Sequence, residues 1–453
     1  MAKLFGSSGV RGLANVDLTI SLACKVASAV ATHARAKKAI VARDTRVSGD
    51  IIEDALVSGL LSCGVEVLLA GQVPTPVCAY ATKVFGADVG FMLTASHNPP
   101  QYNGIKVFNS EGLSYTDADQ AAVEKIVADD KFMLTDWRQL GTTKTVDAVT
   151  PYMEMAKKAV QLKKQWRVVV DPGCGAAFSV GPSLLKALGC KVTALNAQPD
   201  GYFPARKSEP NAETLKDLAS TVKALGADIG IAFDGDADRV AFIDEKGVFV
   251  NFDRSLAAYG AYMLKRMGGG IVVTTIEASM AVETMANKHA GKVKRTKVGD
   301  IYVSEVININ RAVFGGEPCG AWIQPSQHLC PDGPLSAAMF LLALETEGKS
   351  VSEFVGEVPE YITQRVNFTC KNEQKYQLIE QLGPILKVAF SDYIDFSTVD
   401  GARLALKSGW LLVRASGTEP LLRLTVEGES AEAAKDITAK ATALIQKQIE
   451  ASQ

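Results

Sequence analysis

The sequence predicts an α/β protein: three similar mixed α/β domains around a central cleft, plus a C-terminal α+β domain. Three observations predict it. A phrase recurs along the chain, short apolar runs precede each copy, and the pattern changes after residue 360. The phrase is clearest in Gly86-Ala87-Asp88, followed by apolar Val89–Leu93 and the polar run Thr94-Ala95-Ser96-His97-Asn98-Pro99. It returns as Gly226-Ala227-Asp228, then Ile229–Phe233, then Asp234-Gly235-Asp236-Ala237-Asp238-Arg239. A weaker third copy runs from Arg311–Phe314 into Gly315-Gly316-Glu317-Pro318-Cys319-Gly320.

Upstream, Ala39–Arg43, Arg167–Asp171 and Ile271–Thr274 are short apolar runs that suit buried strands. The first two lead into helical stretches, Asp50–Ser62 and Val180–Ala187. A second strand follows in each copy: Val65–Leu69, Lys191–Leu195 and Lys292–Lys294. Strands alternating with helices indicate parallel α/β sheets, and the repeat divides into domains 1–145, 146–248 and 249–360. The remainder, 361–453, reads differently. Tyr361–Phe368 alternates as a half-exposed strand does. A helix over Lys375–Leu382, strands Gly409–Arg414 and Leu421–Val426, and a closing helix Ala431–Ile449 complete an α+β domain. Parallel sheets present ligand loops at the carboxyl ends of their strands, so the three polar loops are expected to face one cleft.

A chain of 453 residues is too long for one core. It is 47% hydrophobic and 22% charged, and no apolar run reaches the length needed to cross a bilayer. Met1–Gly6 carries no apolar signal segment, so a cytoplasmic location is expected. A formal charge of −2 provides no global attraction to nucleic acid or an anionic membrane. Small molecules are the expected partners, with the chain a monomer or homodimer. Eight scattered cysteines form no C-x-x-C pair, and four histidines add little support for zinc.

The loops carry the chemistry. Asp234, Asp236 and Asp238 alternate, so in extended backbone their carboxylates fall on one side and can converge on a hard cation. An EF-hand loop fails because Arg239 stands where that loop needs glycine. The D-x-D-x-T phosphatase pattern fails because Asp238 replaces the threonine. Ser96 lies outside any G-x-S-x-G elbow, and Pro99-Pro100 keep a helix from starting at once. A serine hydroxyl needs activation, for which neighbouring His97 and Lys106 are candidates. Beside a metal loop, Ser96 becomes a candidate phosphoserine; otherwise it caps a turn. Arg11, among the glycines of Phe5–Gly12, suits an anionic oxygen. So does Arg414-Ala415-Ser416-Gly417-Thr418, with Arg423 close behind. Glu317 can accept hydrogen bonds from sugar hydroxyls, or be a surface acid.

Five motifs in order resemble those of the α-D-phosphohexomutase family, over essentially the whole chain. They are S-G-x-R-G at Ser8–Gly12, T-A-S-H-N-P at Thr94–Pro99, D-G-D-x-D-R at Asp234–Arg239, G-E-x-x-G at Gly316–Gly320, and R-x-S-G-T-E-P at Arg414–Pro420. The resemblance implies that Ser96 carries a phosphoryl group and that Asp234, Asp236 and Asp238 bind Mg²⁺ together with a phosphoserine oxygen. It places Arg11, His97, Lys106 and Arg239 beside the reacting phosphate, with Lys106 the candidate acid/base. Glu317 and Cys319 would read the sugar, while Arg414, Ser416, Gly417, Thr418 and Arg423 would hold the other phosphate. The implied reaction interconverts hexose 1-phosphate and hexose 6-phosphate through a 1,6-bisphosphate.

Lys297–Asp300 and Ser416–Pro420 look like the phosphoglucosamine mutase branch. Cys319 and Ala321 depart from the serine and histidine usual in the sugar loop, which keeps a broader phosphomannomutase/phosphoglucomutase as the alternative. A metal-dependent sugar-phosphate phosphatase would share the aspartates. A non-catalytic sensor is disfavoured by the retained serine and aspartates.

Overall fold

The computed structural model describes residues 4–6, 9–416 and 420–452. They form two compact units, Met1–Phe252 with Gly299–Gly356, and Asp253–Val298 with Glu357–Gln453. The first unit opens with a seven-stranded sheet. Its strands are β1 (Phe5–Gly6), β2 (Gly9–Leu13), β3 (Lys38–Arg43), β4 (Glu66–Gln72), β5 (Val89–Leu93), β6 (Tyr102–Asn109) and β7 (Thr143–Thr145), in spatial order β1-β2-β6-β5-β3-β4-β7. A four-stranded sheet follows, from β8 (Arg167–Asp171), β9 (Lys191–Ala194), β10 (Ile229–Phe233) and β11 (Val240–Ile243), in the order β11-β10-β8-β9.

The recurring phrase occupies the same place in both sheets. β5 lies parallel to β3 and antiparallel to β6; β10 lies parallel to β8 and antiparallel to β11. The aspartate of each phrase explains the match. Asp88 Oδ2 accepts the backbone N–H of Lys37 and Lys38 at 2.7 and 2.9 Å, where β3 begins. Asp228 Oδ2 accepts that of Arg167 at 2.7 Å, where β8 begins. Each carboxylate ties its strand to the parallel neighbour, so the polar loops emerge at equivalent carboxyl ends.

The third repeat is divided. β12 (Gly270–Thr275) and β13 (Gly291–Thr296) pair in parallel within the second unit, whereas β14 (Phe314–Gly316) and β15 (Trp322–Ile323) pair antiparallel within the first. The expected strand Arg311–Phe314 starts late. The helix Asp300–Asn310 ends with Arg311 in the left-handed conformation, its N–H capping the Ile307 carbonyl, so the chain extends only from Phe314. A helix absent from the sequence reading, Ala281–Asn287, follows β12.

The C-terminal domain is an antiparallel sheet of β16 (Ile362–Thr369), β17 (Asp395–Ser397), β18 (Ala402–Leu406), β19 (Gly409–Ala415) and β20 (Leu421–Gly428), ordered β16-β20-β19-β18-β17. Its first helix runs Lys375–Ala389 rather than stopping at Leu382, passing through Pro384. Proline removes one helical hydrogen bond. Leu378, Leu382 and Leu386 nevertheless share one buried face at helical spacing. Their place in a core with Leu404, Leu424 and Ile445 outweighs the lost bond. No helix among the described residues is long and apolar enough to cross a membrane.

Candidate active site

Ser96 follows β5 in a loop rather than a helix, with φ at +51°. For a residue with a Cβ this left-handed conformation costs about 1–2 kcal/mol, so the surroundings must impose it. Its hydroxyl donates to Asp234 Oδ2 at 2.7 Å and lies 3.3 Å from His97 Nδ1. The aspartate loop backs directly onto the serine. A Cβ placed on Gly235 would stand 2.5 Å from the Ser96 carbonyl oxygen. Only glycine permits that approach without a shift of backbone.

The three aspartates are buried, and their carboxylate oxygens lie within 4.8 Å of one another. Lys106, on β6, donates to Asp236 Oδ2 at 2.7 Å and to Asp238 Oδ2 at 2.6 Å. Thr75 Oγ1 donates to Asp236 Oδ2 at 2.5 Å. Asp236 Oδ1 and Asp238 Oδ1 remain buried without a hydrogen-bond partner. Leaving a buried acceptor unmade is costly, and two such oxygens in one carboxylate cluster fit a hard divalent cation with oxygen ligands.

The charges respond accordingly. Burial and the neighbouring Asp238 and Asp236 push Asp234 well above the usual carboxylate range. Burial also pushes on Asp236, but Lys106, with hydrogen bonds from Lys106 and Thr75, holds it below that range. For Lys106, burial opposes the charge and the two aspartates overcome it, so the ammonium is favoured.

Cationic groups gather on the same loops. Arg11 Nη1 donates to Asn98 Oδ1 at 3.0 Å, and burial with nearby Arg239 presses its guanidinium downward. Burial, Arg239 and Arg11 lower His97 to about 3, leaving it neutral near pH 7. The Arg239 N–H donates to Asp234 Oδ1 at 3.2 Å. The Glu317 loop docks here as well: Arg239 bridges Ala321, and the Val240 N–H donates to the Gly320 carbonyl at 3.0 Å. Gly320, at φ +89°, allows this because a Cβ would meet that Val240 carbonyl at 2.2 Å. The serine, aspartate and Glu317 loops therefore meet within one unit.

Glu317 is buried rather than a surface acid, and its Oε2 accepts the Gly299 N–H at 2.9 Å, at the start of helix Asp300–Asn310. Burial raises the Cys319 thiol to about 12, so it stays protonated.

The remaining predicted residues belong to the second unit. Arg414 and Arg423 stand directly opposite each other in the β19–β20 register. Arg414 pairs with Asp400 at 3.4 Å and Glu277 at 3.6 Å. Ser416 is buried, and its carbonyl accepts Lys375 Nζ at 2.6 Å. Gly417 and Thr418 lie outside the described residues, as does Ser8 of the amino-terminal motif.

Composition and spacing point to none of Thr75, Asp44, Arg46 and Ser208, and they give Thr94 and Asn98 no role beyond membership of the Thr94–Pro99 motif. Ser208, buried, donates to the His97 and Asn98 carbonyls at 2.7 and 3.1 Å. Position alone offered a signal for some: Asp44 and Arg46 follow β3, and Thr75 lies shortly after β4, at carboxyl ends in the same sheet as β5.

Family models of phosphoglucomutase/phosphomannomutase match four consecutive stretches: alpha/beta/alpha domain I over 2–133, domain II over 147–247, domain III over 251–361, and the C-terminal domain over 366–444. A Thermococcus kodakarensis protein named "Probable phosphoglucosamine mutase" is 42% identical over 449 residues, covering 99% of both chains. One of the same name from Methanothermobacter thermautotrophicus is 42% identical over 437 residues, 96% of each. A crystal structure of a phosphoglucomutase/phosphomannomutase family protein from Burkholderia thailandensis superposes with a TM-score of 0.90 at 27% identity, covering 98% of this chain and 97% of that one. The four domains in order, and relatives matching from end to end, show that this chain belongs to the phosphoglucomutase/phosphomannomutase family, the α-D-phosphohexomutases.

Proposed function

We propose that this enzyme interconverts glucosamine 1-phosphate and glucosamine 6-phosphate, with Ser96 as phosphoryl carrier and a hexose 1,6-bisphosphate as bound intermediate. The observation that carries the reading is the Ser96 hydroxyl 2.7 Å from Asp234, in a cluster where Asp236 Oδ1 and Asp238 Oδ1 are buried without a hydrogen bond. Asp234, Asp236 and Asp238 would hold Mg²⁺, which supplies positive charge to a phosphoryl group in transfer.

In the first half-reaction the bond between phosphorus and Ser96 Oγ breaks as one forms to a sugar oxygen. The second half-reaction returns the sugar's other phosphate to Ser96. Negative charge spreads over the equatorial oxygens, and Arg11, Lys106 and Arg239 offset it. Lys106, an ammonium at rest, gives its proton to Ser96 Oγ as that oxygen leaves phosphorus and takes up the one the sugar hydroxyl releases; the second half-reaction reverses both transfers. Arg414 and Arg423, like charges opposed across a ladder, favour an anion shared between them, and with Ser416, Gly417 and Thr418 they hold the phosphate at rest. Glu317 and Cys319 face sugar hydroxyls. The substrates are small hexose phosphates, and the enzyme works in the cytoplasm as a monomer or homodimer.

The test supplies hexose 1-phosphate with Mg²⁺ and a trace of the 1,6-bisphosphate. Appearance of the 6-phosphate is expected; free sugar and inorganic phosphate would instead identify a phosphatase. The ratio of kcat/KM among glucosamine, glucose and mannose 1-phosphates decides the sugar. Cys319 and Ala321 in the sugar loop favour one second reading, a phosphomannomutase/phosphoglucomutase of broad range, for which the three ratios would lie within about tenfold, a spread of about 1.4 kcal/mol.

A further inference from the structure

Beneath Ser96 lies a polar network that contacts none of the predicted metal ligands except Ser96 itself. Asp44 and Arg46 follow β3, and both are buried. Arg46 spends all five side-chain N–H groups on fixed acceptors. Nε donates to Asp44 Oδ2 at 3.0 Å; Nη2 donates to the carbonyls of Ser96 and Asn98 at 2.9 and 2.7 Å; Nη1 donates to those of Pro99 and Tyr102 at 2.6 and 2.9 Å. The other face of the loop is held through Thr94. The Ser96 N–H donates to Thr94 Oγ1 at 2.8 Å, and that hydroxyl donates to Asp44 Oδ2 at 2.7 Å. Both backbone polar groups of Ser96 thus end on one Asp44–Arg46 pair.

The second domain repeats the device. Arg206 Nε donates to Asp171 Oδ2 at 2.8 Å, and its Nη2 reaches the Phe233 carbonyl at 2.7 Å, one residue before Asp234. In both domains an aspartate at the carboxyl end of the parallel neighbour strand orients an arginine whose side chain is largely covered, and which grips the backbone at a polar loop. A guanidinium offers five donors in a rigid plane, and an ammonium cannot reproduce that pattern.

We infer that Asp44, acting through Thr94, and Arg46, acting directly on the loop carbonyls, are positioning residues that hold Ser96 in its left-handed conformation and so aim its hydroxyl at the aspartate loop. They touch neither substrate nor the transferring phosphoryl group. The inference rests on the proposed role of Ser96, and its test separates the two. Arg46→Lys keeps the charge and loses the five-way grip. Arg43→Lys makes the same exchange at the end of β3, where the Arg43 Nε instead binds Glu53 at 2.8 Å, and serves as the control.

Two readouts decide: amide hydrogen exchange in the peptide spanning residues 94–102, and the rate at which glucose 1,6-bisphosphate phosphorylates Ser96, followed by intact mass. For Arg46→Lys we expect faster exchange confined to that peptide, and phosphorylation slowed on the order of 10²-fold, as a misplaced nucleophile implies. KM for hexose 1-phosphate should stay close to wild type, and Arg43→Lys should match wild type throughout. Should Arg46→Lys not fold, Thr94→Val takes the same measurements. Wild-type values in either readout overturn the inference. If the wild-type protein itself takes no phosphate from the bisphosphate, the proposed function fails and the positioning role is judged on exchange alone.

Discussion

Ser96 Oγ and Asp234 Oδ2 stand 2.7 Å apart although 138 positions separate them in the chain. The contact joins the polar loop of one repeat to the polar loop of the next, so the serine and the aspartate cluster meet only when both domains are folded and docked. Ser96→Ala removes the proposed carrier and leaves the backbone of its loop free to keep its bonds. Turnover should fall on the order of 10⁴-fold or more, as when other catalytic nucleophiles are removed. Unfolding temperature should stay near wild type, and intact mass should show no phosphate gained from the bisphosphate. Turnover within tenfold of wild type would exclude Ser96 as carrier.

If the proposed metal role holds, Mg²⁺ should raise the midpoint of thermal unfolding, because Asp236 Oδ1 and Asp238 Oδ1 are buried without a hydrogen bond. A ligand at a hundred times its Kd stabilises by about 2.7 kcal/mol. The shift should be absent in Asp238→Asn. Chelation should abolish wild-type turnover and Mg²⁺ should restore it. An equal shift in the variant would place the ion elsewhere.

Gly235→Ala tests the close packing of the two loops. Its Cβ would press on the Ser96 carbonyl at 2.5 Å, and backbone must move. Overpacking of this kind costs about 1–3 kcal/mol. Turnover should drop on the order of 10²-fold through displacement of reacting groups. A crystal structure of the variant with both loops unmoved would contradict the expectation.

A pH effect should arise in the second unit. Burial, reinforced by Glu427, raises partly buried Asp253 to about 6 despite the hydrogen bond that its Oδ1 accepts from the Ser279 N–H at 2.7 Å. An unfolded aspartate titrates near 4, so the folded chain binds more protons between these values. Its contribution is full below about pH 4 and is lost as pH rises through about 6. Asp253→Asn cannot lose a proton there. The difference in unfolding temperature, variant minus wild type, should therefore be more positive at pH 7.5 than at pH 5. A difference independent of pH would refute the assignment.

What the sequence reveals here follows from spacing. The three aspartates are visible in one dimension, but the extended backbone expected to align them is not what gathers them: the loop is bent, with Ala237 at φ +60°. The Gly-Ala-Asp phrases align by eye because Asp88 and Asp228 perform the same capping task. Arg46 was hidden because Arg43-Asp44-Thr45-Arg46 has the composition of a solvated turn. Its function depends on carbonyls about fifty residues away. The left-handed backbone of Ser96 carries no mark in residue type, since nothing like glycine advertises it. Helix Lys375–Ala389 passes Pro384 because distant core residues repay burial of Leu386, a balance no local window contains.

Lys106 lies against Asp236 and Asp238 with one positive charge for two carboxylates. That ammonium offsets the mutual repulsion of the two carboxylates and fastens the aspartate loop of the second domain to β6 of the first. It occupies the Oδ2 atoms and leaves both Oδ1 atoms open, so the chain neutralises one side of its acidic loop itself and presents the other side bare.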